Sequence, residues 1–172
     1  MIFKELTETE KLQFQPSLEE LLRLCDHEFV PPLSSRASTT QSELSPTQSG
    51  SGVESYCSVM MEQNILCALE GDKLAGFVSY RNDHTCPEIG IDLLPNVYIS
   101  TLIVSPEFRG KGLTAQMYEI LFAKYFDKRI LTRTWSENHA HIAILKKFGF
   151  KEHCRKINDR GNGIDTVYFS LK

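Results

Sequence analysis

Residues 97–122 join an apolar strand to a helix through a glycine-containing turn, an arrangement that can hold an anion. The β-branched run of the strand stops at Pro106, and an apolar helical repeat begins after Gly112. Glycines at a helix start let backbone N–H groups approach a ligand, and the unpaired N–H groups and helix dipole favour negative charge there. With Arg109 and Lys111 beside them, these residues predict a phosphate-binding turn.

The glycine spacing excludes two common nucleotide-binding motifs. No glycine lies five residues before Gly110, and Gly112 is followed by Leu113 and Thr114, so the P-loop pattern does not fit. The third glycine of the dinucleotide-binding motif is also missing. The anion predicted here is therefore not held by either of these nucleotide-binding loops.

The residues RGKGLT, at 109–114, resemble the pyrophosphate-binding signature of the GNAT superfamily of acyl-CoA-dependent N-acetyltransferases. That signature has Gln or Arg first, Gly in the fourth place and Gly or Ala in the sixth, where this chain has Thr114. Downstream, Asn138 is followed eleven and twelve residues later by Gly149 and Phe150, a second spacing typical of the family. The two motifs cover roughly the second half of the chain.

The resemblance implies an α+β fold whose mixed, mostly antiparallel sheet is flanked by helices, and it implies acetyl-CoA as co-substrate. In such a fold the Val104 amide binds the pantetheine arm, and the Leu102 amide polarises the thioester carbonyl as a catalytic group. Asn138 contacts the cofactor or caps its helix. The implied cofactor-binding residues lie on the strand, the turn and the two helix starts: Leu102, Ile103, Val104, Arg109, Gly110, Lys111, Gly112, Leu113, Thr114 and Asn138.

The catalytic proton path departs from the family pattern. Leu145 occupies the place where relatives often carry a tyrosine general acid, and Tyr98 stands where many carry a carboxylate base. A tyrosine hydroxyl relays protons or binds substrate but is a poor base at neutral pH. His84 has a suitable intrinsic pKa and is a further candidate base. Other candidates near loops or helix ends are Glu54, Glu88, Asp92 and Glu137, and Arg133 and Trp135 end a strand where the cleft should open.

Length and composition place these motifs in one ordinary globular domain, residues 1–172. The chain has a net charge of −3, which argues against a nucleic-acid partner. It has neither a signal-like start nor an apolar run long enough to span a bilayer, so we expect a cytoplasmic protein without a membrane partner. The 5 cysteines are scattered and predict reduced thiols, and the spacings of histidine and cysteine predict no metal site.

The pattern of apolar residues predicts the order of elements. A strand at residues 2–6 precedes a helix that Ser17 caps, with Glu20 at the capping-box position. Residues 31–52 form a long polar loop, which we expect to cover the acceptor side of the cleft. Later strands are expected at 64–70, 73–80, 97–104, 130–135, 150–156 and 165–171, with helices at 53–61, 113–122 and 140–148. Edge strands near the C-terminus allow a homodimer.

Three functions fit these observations. The favoured interpretation is an N-acetyltransferase that moves an acetyl group from acetyl-CoA to a primary amine of a small molecule, by direct attack through a tetrahedral intermediate. A second is a protein N-terminal or lysine acetyltransferase. A third is a non-catalytic acyl-CoA sensor, which the departures at Tyr98 and Leu145 favour.

Overall fold

The computed structural model describes residues 1–172 and is built around one seven-stranded sheet. Its strands are β1 (Ile2–Glu5), β2 (Asn64–Glu70), β3 (Lys73–Asn82), β4 (Asn96–Val104), β5 (Arg129–Trp135), β6 (Lys151–Lys156) and β7 (Thr166–Leu171). Their spatial order is β1-β2-β3-β4-β5-β7-β6, and only the β4 and β5 pair is parallel. The α+β class and the mixed, mostly antiparallel sheet predicted from the sequence are confirmed.

Two pairs of helices cover the two faces of this sheet. The helices are α1 (Glu8–Cys25), α2 (Val53–Met60), α3 (Leu113–Lys124) and α4 (His139–Lys147). Side chains alternate along a strand, so Leu66 and Ala68 of β2 pack in the cluster that holds α3 and α4. Ile65 and Cys67 pack in the cluster that holds α1 and α2. No helix is long and apolar enough to cross a membrane.

Helix α1 begins ten residues earlier than the sequence pattern indicated. Thr7, not Ser17, is its N-cap: the Thr7 side chain accepts from the Glu10 N–H, and the Glu10 carboxylate accepts from the Thr7 N–H. The helix continues through Pro16, although proline removes one backbone hydrogen bond. Leu18 and later apolar residues bury the same helix face, and that packing outweighs the lost bond.

The polar segment at residues 31–52 packs against the rest of the chain. It contains a short 3-10 turn, Leu33–Ser35, and both Leu33 and Leu44 are fully buried. Gly50 lies so close to this turn that an added Cβ would stand 2.4 Å from the Ser34 carbonyl oxygen. The two ends of the segment therefore pack together only because residue 50 has no side chain.

We expect Thr7→Ala to lower the free energy of unfolding by about 1 kcal/mol, because the helix loses its capping box. Ser17→Ala is the matched control. Ser17 lies inside α1 and makes no capping contact. The free energy of unfolding of this variant should therefore stay the same or rise slightly. Urea unfolding followed by circular dichroism measures both variants. The reverse ranking would restore Ser17 as the helix start.

The lowered pKa of His141 should make the free energy of unfolding depend on pH. Its Nε2 lies 2.9 Å from the Tyr118 hydroxyl, and burial lowers the pKa of His141 from 6.5 to about 4. Between those values the unfolded chain binds a proton that the folded chain does not, so the free energy of unfolding falls as the pH falls. In that window wild type should lose up to about 1.4 kcal/mol per pH unit more than His141→Gln.

The measurement is urea unfolding of both proteins at several pH values between the two pKa values. His153→Gln, a change at an exposed histidine of β6, should follow wild type. Equal slopes for wild type and His141→Gln would contradict the lowered pKa of this partly buried histidine.

Candidate active site

The parallel strands β4 and β5 separate before β4 ends, and a cleft opens between them. Their pairing runs from Asn96 and Arg129 only as far as Ile99 and Thr132. Beyond that point β4 continues to Val104 with β3 on one side only. The resulting cleft has a volume of about 710 Å³ and is lined by β4, the start of α3, the end of β5 and α4.

Two backbone amides of β4 face this cleft. The Ser105 N–H donates to the Ala75 carbonyl at 2.9 Å, which shows which residues of β4 point towards β3. Backbone groups alternate along a strand, so Ile103 also points to β3, whereas Leu102 and Val104 point to the cleft. An extended ligand in the cleft can therefore accept hydrogen bonds from these two amides.

The start of α3 supplies further free N–H groups at the same end of the cleft. Gly110 and Gly112 have φ angles of +77° and +74°, a left-handed backbone that favours glycine. No side chain caps the helix, so the N–H groups of its first turn, including those of Leu113 and Thr114, are left for a ligand. Both glycines and both of these residues line the cleft.

The two basic residues of the turn are placed differently from each other. Arg109 lines the cleft, but its guanidinium donates to the Glu28 carboxylate at 2.8 Å and to the Val104 carbonyl at 3.1 Å. It therefore ties the turn to the segment after α1. Lys111 is exposed, does not line the cleft and holds its ammonium 4.9 Å from the Phe108 ring centre.

Asn138 lines the cleft and also caps α4. Its Oδ1 accepts from the His141 N–H at 3.4 Å, and its Nδ2 donates to the Thr134 hydroxyl at 3.0 Å. Both roles considered from the sequence are thus compatible with its position. His141, one turn further along α4, lines the cleft as well. The spacing of His139 and His141 excluded a shared metal site, and nothing else in the sequence marked His141 as a site residue.

Tyr98 and His84, the two candidate proton-transfer side chains, lie outside the cleft lining. Tyr98 is buried among Ile89, Leu93 and neighbouring apolar residues, and burial raises its pKa. His84 packs on Tyr98 with ring centres 4.6 Å apart, and burial lowers the pKa of His84 to about 4. Neither side chain lines the cleft, so a proton-transfer role for either one stays a prediction.

None of the other carboxylates considered from the sequence lines the cleft: Glu54, Glu88, Asp92 and Glu137. Glu54 pairs with Arg23, and Glu88 pairs with Lys156. Leu145, at the place of the family tyrosine, is fully buried in the core. Glu28 is the carboxylate that does line the cleft, and it is engaged by Arg109.

On the other face of the sheet the cleft is lined by three arginines, Arg36, Arg133 and Arg160, with Phe29 and Trp135 between them. Sequence reasoning placed Arg133 and Trp135 near the mouth of the cleft but missed the other three. Arg133 gave a signal because it lies near the end of a predicted strand, where the cleft should open, whereas Arg160 lies in a turn rich in Gly and Asn that gives no such signal.

No group of three or more His, Cys, Asp or Glu side chains is arranged to hold a metal ion, and all five cysteines are free thiols. The site is therefore built from backbone amides, arginines and aromatic rings.

Comparisons with solved structures find the same fold over nearly the whole chain. An aminoglycoside 6'-N-acetyltransferase complexed with coenzyme A is 15% identical, with a TM-score of 0.69 over 99% of this chain and 96% of that one. The ribosomal-protein-S18-alanine N-acetyltransferase from Escherichia coli is 16% identical, with a TM-score of 0.65 over 99% and 92%. The protein yncA from Salmonella typhimurium, with its cofactor acetyl-CoA, is 13% identical, with a TM-score of 0.62 over 99% and 92%.

At these identities the structural likeness shows the fold alone. No curated protein sequence gives a significant match. The sequence profile of the acetyltransferase (GNAT) family, however, matches residues 18–150. Because this match spans more than half of the 172 residues, the chain belongs to the acetyltransferase (GNAT) family, a family of acyltransferases.

Proposed function

We propose that the chain transfers an acetyl group from acetyl-CoA to the primary amine of a small molecule. The observation that carries the proposal is that two β4 amides, those of Leu102 and Val104, have no partner strand and lie in the same cleft as the uncapped start of α3. A diphosphate and an extended amide-containing arm match these two features in charge and in shape.

The proposal assigns the diphosphate to the backbone N–H groups of residues 110–114. The Thr114 hydroxyl adds a donor in the first turn of α3, and the exposed Lys111 ammonium adds charge nearby. Arg109 contributes by holding the turn to Glu28 and, through its field, by favouring the anion. The Val104 amide binds the arm, Ile103 anchors the strand to β3, and Asn138 fixes the start of α4 beside it.

In the chemical step the amine nitrogen attacks the thioester carbonyl carbon. A C–N bond forms, the carbonyl electrons move to oxygen, and collapse of the intermediate breaks the C–S bond and releases CoA as the thiol. The Leu102 N–H stabilises the oxyanion of that intermediate. The nitrogen of the neutral amine loses one proton to solvent, and the sulfur gains one proton from solvent, so no protein carboxylate is required.

Support for a small acceptor comes from the segment at residues 31–52. The segment carries the buried Arg36, which forms part of the cleft wall. The Lys156 ammonium holds the segment to β6 by donating to the Ser42 carbonyl at 2.6 Å. Thr39 accepts from Gln63 below it. A covered end of this kind suits a compact ligand. The names of the neighbours include an aminoglycoside and a ribosomal-protein alanine as acceptors, so the shared fold alone does not choose one.

Gly112→Glu tests the cofactor placement. The added carboxylate stands where the proposal puts a diphosphate, so the thermal stabilisation by acetyl-CoA should be lost while the variant still unfolds cooperatively. Gly71→Glu is the matched control, because Gly71 also has a positive φ, of +60°, and open space around it, but lies in the β2 to β3 turn. Scanning calorimetry with and without acetyl-CoA measures both.

The same three proteins are used to test acetyl transfer, which is measured as release of the CoA thiol in the presence of a panel of amines. We expect release with at least one small amine for wild type and Gly71→Glu, and none for Gly112→Glu. A full acetyl-CoA shift in Gly112→Glu would reject the diphosphate site. Release with peptide amines alone would reject the small-molecule acceptor.

A further inference from the structure

The cleft wall on the α1 and α2 face carries an unusual concentration of buried positive charge. Arg36 and Arg160 are 5% and 2% exposed, and Arg133 has a fully buried Nη2. They come from the segment after α1, from β5 and from the turn before β7. Leu131, Arg133 and Trp135 share one face of β5, opposite the α4 side, so the three arginines lie across the sheet from the proposed diphosphate site.

Every hydrogen-bond partner of these guanidinium groups is uncharged. Arg36 donates twice to the Pro31 carbonyl, at 3.2 and 2.8 Å. Arg160 donates to the Thr166 hydroxyl at 2.9 Å and to the Val30 carbonyl at 2.8 Å. Arg133 donates to the Tyr168 hydroxyl at 3.1 Å, and its buried Nη2 has no partner.

No carboxylate forms an ion pair with any of the three arginines. The nearest acidic groups are engaged elsewhere. Asp26 accepts from the N–H and hydroxyl of Ser34, at 2.8 and 2.6 Å. Asp159 accepts from the Thr166 hydroxyl and faces the Lys156 ammonium at 3.4 Å. Glu28, which lines the same cleft, is paired with Arg109. Asp26 and Asp159 therefore act on Arg36 and Arg160 only from a distance, and no carboxylate pairs directly with the cluster.

Buried charges without a counter-charge are costly, and three like charges also repel one another. Burial, with repulsion from the other two arginines, lowers the pKa of Arg160 to about 9, and burial lowers that of Arg36 to about 10. Both groups still carry their charge at neutral pH. An arrangement of this kind is stabilised by an anionic ligand.

Aromatic rings hold two of the guanidinium groups in place. Arg160 lies over the Trp135 ring at 5.8 Å, Arg36 lies over the Phe29 ring at 5.7 Å, and the two rings lie 5.8 Å apart. The rings position the cations without neutralising them. The three arginines line the same cleft as these two rings.

We infer that the acceptor amine carries an oxyanion, a carboxylate or a phosphate, which Arg36, Arg133 and Arg160 bind. A planar guanidinium matches either group through two parallel hydrogen bonds. The inference rests on the proposed transfer for the role of the amine, and it excludes polyamines, aminoglycosides and lysine side chains as preferred acceptors. The same positive field destabilises an ammonium ion beside it, so it raises the fraction of free amine that attacks the thioester.

Matched pairs of amines test the inference because the members of each pair differ only in the anion. Amino acids are compared with their neutral amides, and phosphoethanolamine is compared with ethanolamine, with spermidine as the cationic arm. The kcat/KM for thiol release should be at least about tenfold higher for the anionic member, as expected for charge-assisted hydrogen bonds in a buried site. The pair with the larger ratio of kcat/KM values shows whether the site prefers a carboxylate or a phosphate.

A second readout does not depend on turnover. Trp135 is the only tryptophan of the chain, so its fluorescence reports directly on the cluster. With the protein saturated with CoA, the compounds that carry a carboxylate or phosphate should give a saturable change in fluorescence, and the partners that lack this group should not. The absence of any such change would overturn the oxyanion site.

The two readouts separate this inference from the proposed function. Saturable fluorescence changes without thiol release from any amine would keep the oxyanion site and reject the transferase proposal. Thiol release that is equal or faster with neutral or cationic amines would keep the transferase and overturn the oxyanion site.

Arg133→Lys gives an independent check, since it keeps the charge and removes the planar fork. It should reduce the preference for the anionic member by about tenfold or more and leave the acetyl-CoA shift unchanged. Arg36→Lys is the second variant in case the first does not fold. Arg155→Lys, at an exposed ion pair on β6, should retain the wild-type preference. Retention of that preference in both cluster variants would contradict the assignment.

Discussion

The separation of β4 from β5 is the constraint on which the rest of the site depends. β3 holds β4 along its whole length, and Gly76 allows a contact so close that an added Cβ would stand 2.7 Å from the Ile103 carbonyl oxygen. β5 leaves β4 after Ile99 and continues its pairing with β7. Backbone groups in the remaining part of β4 therefore face the cleft, and buried backbone groups require a partner.

This separation also makes the cleft a passage between the two faces of the sheet. Alternation along β5 divides its side chains, with Thr132 and Thr134 towards α4, and Arg133 and Trp135 towards the α1 side. The uncapped start of α3 and the arginine cluster then line the same cleft from opposite faces of the sheet. The cleft is therefore lined by a backbone anion site on one face of the sheet and by arginines on the other, and we propose that the two ligands of direct transfer enter from these two sides.

The sequence predicted the parts of the fold and the site that are encoded locally. The turn at residues 109–114 and the capping residue Asn138 each lie within one short segment, where spacing determines geometry. The start of α1 was misplaced because Thr7 and Ser17 both have a glutamate three residues later, and only the packing of the helix decides between them. Arg36 and Arg160 are far apart in the chain and meet only through the tertiary fold, so no local pattern reveals them.

We propose that the backbone amides of Leu102 and Val104, and not that of their neighbour Ile103, bind the acyl-CoA arm. Amide hydrogen exchange measured by NMR, residue by residue with and without acetyl-CoA, tests it most directly. We predict slower exchange at Leu102 and Val104 on binding and little change at Ile103, which already bonds to β3. If saturating acetyl-CoA adds no protection at Leu102 and Val104, the arm does not bind along this part of β4.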